Sequence, residues 1–200
     1  MVTLVEKTED LRVRRTRKLL MDAFTELVLT KGFQTLTVQQ IADRAMVHRA
    51  TFYDHFVDKY ALFEYVIREQ FQQTLYQTVP EDFSYTSDHL ALLVSTTCAF
   101  LRLIAASCLP KDHQTLAMVQ THITLQIVEI LAGWLETAWA ERTVSHPPAE
   151  LAATVTAWAI YGAGLYWSKQ ADEELATFVD QVLPSIAASF REALAMTTPA

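Results

Sequence analysis

The stretch that decides the fold is Leu36-Thr-Val-Gln-Gln-Ile-Ala-Asp-Arg-Ala-Met-Val-His-Arg-Ala-Thr-Phe-Tyr-Asp-His-Phe-Val-Asp-Lys-Tyr-Ala-Leu-Phe63. Its opening Thr37-Val-Gln-Gln40 has the Thr-x-x-Gln form of a capping box, in which threonine and glutamine satisfy backbone N–H groups at a helix start. Ile41 and Ala42 give that short helix an inner face, and it should end near Ala45-Met46-Val47. A second short helix follows from His48 to about Phe56, with Phe52 and Phe56 on its inner side. Two short helices joined by a tight turn and packed on a preceding helix form the pattern of a helix-turn-helix DNA reader.

Upstream, Leu19/Leu20, Phe24 and Leu27/Val28 recur at three- and four-residue spacing, which predicts an amphipathic helix over 11–31 closed by Gly32. Downstream, a longer helix should run from Asp58 through Phe63, Val66, Ile67 and Phe71 to Tyr76. The remaining chain reads as a loop over 77–87, a helix over 88–107, and helical sequence over 111–142 with a break expected near 121–124. A boundary at 143–148 precedes two long helices, about 148–169 and 172–194, the last carrying Pro184 as an expected kink or break. Asp172, Glu173 and Glu174 stand where a helix N-terminus attracts carboxylates. The fold class is all-α, with about nine helices.

Composition narrows the function. Four glycines in 200 residues cannot build a phosphate-cradling loop, and Gly162 and Gly164 are followed by Trp167 where a third glycine would fall. Six prolines and so few glycines do not supply the turns of a sheet-rich domain. The net charge of −7 conceals an asymmetry: residues 1–68 carry 11 Lys/Arg and 9 Asp/Glu, whereas 69–200 carry 5 and 14. Separated charge suggests parts with different partners. Met1–Arg15 has no apolar core of a secretory signal, and the apolar stretches 90–110 and 152–168 read as buried helices, so a cytoplasmic chain with reduced Cys98 and Cys108 is expected. His48/His55 and His113/His122 lack zinc-site spacing, and no nucleophile–base pair stands out, so neither a metal, a cofactor nor an enzyme is expected.

The quoted stretch closely resembles the DNA-binding domain of TetR-family transcriptional regulators. Ile41-Ala42, Val47, Thr51-Phe52-Tyr53, His55-Phe56, Lys59 and Leu62-Phe63 stand where the family's pattern expects them, and the resemblance covers about residues 12–68. Two departures are Met46, where many members have glycine, and His48, where many have a small residue. The resemblance implies an N-terminal arm and reading domain over 1–58 and an effector-binding and dimerisation domain over 59–200. It also gives Tyr53, His55 and Lys59 a DNA-backbone role.

On a helical wheel, Ala50 and Asp54 lie opposite Phe52 and Phe56, with Thr51 and Tyr53 on the flanks, so this sector would enter the major groove. Thr51 can meet a base edge or thymine methyl, and Asp54 can accept from a cytosine amino group. Phosphate contacts would come from Arg14, Arg15, Arg17, Arg44, His48, Arg49 and Lys59, with Thr37, Tyr53 and His55 adding donors. TetR-like proteins pair their last two helices as a homodimer; Trp158, Ala159, Gly162, Tyr166, Phe178, Val182, Ile186 and Phe190 are the candidates. Candidate effector-pocket residues are Tyr76, Phe100, Met118, His122, Gln126, Trp134 and Trp139, with Glu129 as a further polar group. The scarcity of cations after residue 69 favours an apolar or cationic aromatic effector over an anionic one.

These readings converge on a ligand-responsive repressor that binds a near-palindromic double-stranded DNA operator as a dimer and is released by a small-molecule effector. The alternative is a TetR-like co-activator or interaction protein that works through protein contacts without specific DNA binding. Met46, His48 and Asp54 favour it, and the salt dependence of DNA binding separates the two.

Overall fold

The computed structural model describes residues 11–79, 84–106, 113–140, 148–170 and 172–195. Helix α1 (Leu11–Lys31) buries Leu20, Ala23, Phe24, Leu27 and Val28, the inner stripe of its three- and four-residue spacing. Gly32 closes it in the left-handed conformation at φ 78°, its N–H donating to the Val28 carbonyl at 2.9 Å. Helix α2 (Val38–Arg44) starts on Thr37, and both halves of the capping box form with Gln40. Helix α3 (Arg49–His55) follows after a short turn, with Phe52 fully buried beneath it.

Helices α1, α2 and α3 pack on one another. An aromatic cluster unites them with the start of α4 (Lys59–Thr78): Phe24 meets Phe33 edge-on at 5.9 Å, and Phe33 lies 5.4 Å from Phe63. Such rings supply most of the buried apolar area of a small three-helix domain.

The rest of the chain contains α5 (Ser87–Ala106), α6 (His113–Trp139), α7 (Ala149–Trp167) and α8 (Leu175–Ala195). All eight described elements are helices. The expected break near 121–124 does not occur. Val119, Ile123, Ile127 and Leu131 maintain one buried stripe, and the Thr124 hydroxyl donates to its own helix at Gln120 O, 2.7 Å away. One helix therefore stands where two were expected. Pro184 does not end α8 either. It lies on the exposed side, so the Asp180 carbonyl that loses its N–H partner can be solvated. Asp172 and Glu173 precede α8 rather than opening it, and the Glu174 carbonyl accepts from Phe178 N. Cys108 and the boundary at 143–147 lie outside the described residues.

Two compact units emerge, one drawn from Met1–Glu69 and Ser107–Val119, the other from Gln70–Ala106 and Gln120–Ala200. In the second, α5, α7 and α8 pack mutually. Gly164 permits the close approach of α7 to α5, since a Cβ there would fall 2.9 Å from Leu101 Cδ1. Arg102 stacks on Trp167 at 3.3 Å and donates to the Trp167 and Gln170 carbonyls, tying α5 to the end of α7. Helices α5 and α6 are long and apolar enough to cross a membrane, but Leu90, Leu93, Val94, Phe100 and Leu101 of α5 are buried as in a core helix.

Candidate nucleic-acid interface

The turn between α2 and α3 aims the candidate reading helix. Met46 N donates to Asp43 O at 3.1 Å and Val47 N to Ala42 O at 3.0 Å, the paired bonds of a Schellman motif. That motif needs a left-handed residue, and Met46 supplies it at φ 56° with its side chain 87% exposed. A non-glycine residue there carries a steric penalty of about 1 kcal/mol. His48 occupies the N-cap of α3 without a side-chain cap bond, so α3 lacks the support that Thr37 gives α2.

Beyond the turn, Arg49, Ala50, Tyr53 and Asp54 are exposed, and Thr51 and His55 half-buried. Arg49 and Tyr53, one turn apart, form a unit. The guanidinium lies 5.4 Å from the ring centroid and donates to Tyr53 Oη at 3.0 Å. Tyr53 is braced from behind by an edge-on contact with Phe52 at 5.6 Å. The pair presents a cation and a phenol together, groups that hydrogen-bond phosphate oxygens.

Arg14 and Arg15 are exposed on the first turns of α1, while Arg17 sits 5.6 Å over the Tyr65 ring. Thr37 is exposed but already receives Gln40 N in the capping box. Two of the expected phosphate cations are engaged elsewhere. Arg44 grips Glu26 of α1 through Nε at 3.0 Å and through Nη2. Glu26 was invisible to sequence reasoning, because nothing local links residues 18 apart.

Lys59 is the second. Its ammonium donates to the carbonyls of Phe33, Gln34 and Leu36 at 3.1, 3.2 and 3.0 Å, and lies 4.7 Å from the Phe33 ring centroid. An ammonium has three N–H donors, and all three are taken. Lys59 pins the α1–α2 connection to the start of α4. Burial lowers its pKa from the ordinary lysine value.

The other candidates divide by burial. On α7, Trp158, Ala159, Gly162 and Tyr166 are exposed, and Leu151, Val155 and Leu165 extend the same outward stripe. On α8, Val182 is half-buried, but Phe178, Ile186 and Phe190 are buried within their own chain. Phe190, 0% exposed, packs between Trp134 and Tyr85 and has no surface to offer a partner. Phe178, Ile186 and Phe190 thus serve the protomer core, while Val182 keeps part of its surface outside it.

Among the pocket candidates, Met118 belongs to the first unit and the other six to the second. Phe100 is buried against Phe71 at 5.1 Å, whereas Tyr76 is exposed and its hydroxyl accepts from Gln72. Trp134 and Trp139 are core residues, the latter donating from Nε1 to Leu194 O at 3.3 Å. His122 and Gln126 are half-buried one turn apart, and Glu129 is exposed. Among the described residues no cluster of three His, Cys, Asp or Glu side chains could hold a metal ion.

Residues 20–66 match the family model of bacterial regulatory proteins, tetR family. YxbF, an uncharacterized helix-turn-helix-type transcriptional regulator of Bacillus subtilis, is 32% identical over 94 residues, which cover 44% of this chain and 25% of that protein. The chain therefore aligns with about a quarter of the length of that relative. FadR of Bacillus subtilis, solved in complex with stearoyl-CoA, superposes with a TM-score of 0.56 at 18% identity, over 86% of this chain and 98% of that one. RolR, solved with resorcinol, gives 0.53 at 19% identity over 94% and 97%. At these identities the structural likeness is one of fold. The helix-turn-helix geometry and the family match agree over the N-terminal helices: residues 20–66 are similar to the bacterial regulatory proteins of the tetR family, and the rest of the chain shares the fold of the solved regulators.

Proposed function

We propose that this protein is a cytoplasmic, homodimeric repressor that binds a near-palindromic operator and leaves it when a small molecule binds the C-terminal helices. The observation that carries the DNA-binding part is α3, anchored by buried Phe52 and exposing Arg49, Ala50, Tyr53 and Asp54 on its outer side. Asp54 can select cytosine while repelling phosphate, so it contributes to discrimination more than affinity. Arg49 and Tyr53 provide the affinity, with Arg14 and Arg15 as further cations.

Dimerisation is supported by the α7 stripe. Leu151, Val155, Trp158, Leu165 and Tyr166 form a row of exposed large apolar side chains, the kind of surface that marks a protein contact. A two-fold dimer would repeat α3 about 34–36 Å apart, one turn of B-DNA. The ligand-responsive part is supported by FadR and RolR, whose structures hold stearoyl-CoA and resorcinol. An effector releases DNA only if it binds the DNA-free form more tightly, and DNA must then weaken effector binding by the same factor.

A mobility-shift titration against the DNA upstream of the coding sequence tests the proposal. Binding should weaken steeply between about 50 and 200 mM salt, and Tyr53→Ala should weaken it about tenfold or more. Unchanged affinity in Tyr53→Ala would remove α3 as the reading helix. Salt-independent binding would favour the protein-contact alternative.

A further inference from the structure

Residues 36–63 carry three Lys/Arg side chains, Arg44, Arg49 and Lys59, and the fold engages them differently. Arg44 is gripped by Glu26, and the Lys59 ammonium holds three carbonyls. Arg49, the first residue of α3, is exposed, and no ion pair among the described residues includes it. Its Nη2 donates to Tyr53 Oη at 3.0 Å, with the guanidinium carbon 5.4 Å from the ring centroid.

The bond to Tyr53 decides what this guanidinium can still do. A guanidinium has two edges from which a pair of parallel N–H groups points, and each edge uses one of the two Nη2 hydrogens. Tyr53 takes one of those hydrogens, so one edge is broken and the other stays complete. The brace also fixes the direction of the remaining edge, and Tyr53 is itself steadied by Phe52 at 5.6 Å. Attraction to phosphate needs no such direction, and exposed cations such as Arg14 and Arg15 supply it. A braced fork suits a target with two acceptors at fixed spacing.

The neighbours of Arg49 point to a base. At 100° per residue, Asp54 stands about 140° round α3 from Arg49, with Ala50 between them on the exposed side. An arginine and an aspartate on one face carry no net charge, so together they gain little beside a row of phosphates. Base edges reward the same two groups: guanine presents the O6 and N7 acceptors, and cytosine an N4 donor. Ala50 adds a single methyl group between them, which leaves room for close approach. The first residues of the second helix are those that meet base edges in this motif.

We infer that Arg49 is a specificity-determining residue: its complete two-donor edge, held in direction by Tyr53, reads a guanine through O6 and N7 in each operator half-site. The inference rests on the DNA-binding reading above and deepens it by naming a base. Because Tyr53 Oη accepts from Arg49, its own proton is left for a phosphate oxygen of the same half-site.

Selection by the full chain from a pool of randomised duplex DNA, followed by competition titrations with single-pair variants of the selected site, tests it. The wild type should hold one G·C pair in each half-site, with about a tenfold loss per half-site for any other pair. Arg49→Lys keeps the charge and removes the fork. It should reduce the preference at that pair to about twofold or less, while preferences at other positions and the slope of affinity against salt persist. Tyr53→Phe keeps the ring and removes the brace, so it should weaken the same preference in addition to lowering affinity for all sites. If Arg49→Lys binds every site more weakly by one factor with the preference intact, Arg49 serves a phosphate and the inference is overturned. A wild type that selects sites with no guanine dependent on Arg49 overturns it as well, and so does a Tyr53→Phe preference equal to that of the wild type. A wild type that binds no duplex above the level of random sequence sinks the DNA-binding reading itself, and the inference with it.

Discussion

Helices α3 and α7 are built on the same plan and face outward with opposite chemistry. Each buries one side within its own unit, Phe52 beneath α3, and Ala153, Ala157 and Ile160 beneath α7. The outward side of α3 carries Arg49, Tyr53 and Asp54, whereas that of α7 carries Leu151, Val155, Trp158, Leu165 and Tyr166. The buried faces explain why both are helices that stay in place. The exposed faces differ in what they can gain: hydrogen-bonding groups can exchange water for phosphate and base edges, while an apolar row gains only by leaving water. The difference teaches that partner class is encoded on the side of the helix that folding does not need.

The contrast is sharpest in the inward side of the second unit, and Cys98 there gives the largest expected effect. Burial pushes its thiol from an ordinary 9.0 up to about 12, against the opposing pull of Arg102 and its own backbone hydrogen bond. In a Cys108→Ser background, the folded protein should react with a thiol reagent near neutral pH about a thousandfold more slowly than the unfolded chain. Because the folded state holds this proton more tightly, stability from this group is complete below pH 9.0 and declines as the pH rises toward about 12. Denaturant titrations of that variant with and without Cys98→Ala should diverge over this window, and parallel curves would refute the assignment.

Placing a charge on the apolar row breaks the comparison from the other side. Trp158 is 48% exposed, so Trp158→Glu should leave the fold intact while converting dimer to monomer in sedimentation velocity. Operator affinity should then fall about a hundredfold, since two half-sites would no longer be engaged together. A dimeric Trp158→Glu would remove α7 as the interface.

Met46→Gly relieves the left-handed residue ahead of α3. It should stabilise the protein by about 1 kcal/mol, less the added freedom of glycine in the unfolded chain, as read in a denaturant midpoint. Destabilisation would mean that the exposed methionine makes a favourable contact.

The smallest effect is expected from Glu26→Gln. It releases Arg44 from a half-exposed ion pair that itself contributes about 0.2–1 kcal/mol. Operator binding should tighten about threefold and its salt dependence steepen by about one phosphate contact. Unchanged binding would show that Arg44 does not reach DNA.

What the sequence disclosed was what neighbours along the chain determine. The limits of α1, the Thr37–Gln40 capping box and the burial of Phe52 and Phe56 all follow from spacing within one or two turns. Residues that answer to distant partners were read less well. Arg44 reads as a phosphate cation in the sequence, which does not show that Glu26 stands beside it. Lys59 reads the same way, and the sequence does not show the carbonyls of Phe33, Gln34 and Leu36 that converge on it, an arrangement that α4 creates only by packing on the α1–α2 connection. Phe190 lay on a stripe that a partner could have covered as readily as Tyr85 and Trp134 do. The run at 121–124 reads as a break in the sequence, and spacing does not reveal that the Thr124 hydroxyl can bond its own helix at Gln120 O.

In coordination terms, Lys59 Nζ is a three-coordinate cation held in a cup of main-chain oxygens. Such a cup recognises a compact ammonium, and the flat fork of a guanidinium cannot turn its N–H groups toward three converging carbonyls. Conservation of charge is then not conservation of function at this position. A library that exchanged every lysine and arginine in the first sixty residues should tolerate the swap at exposed Arg14 or Arg15 and reject it at Lys59. Losses there would come from the reading domain failing to hold its shape, before any encounter with DNA.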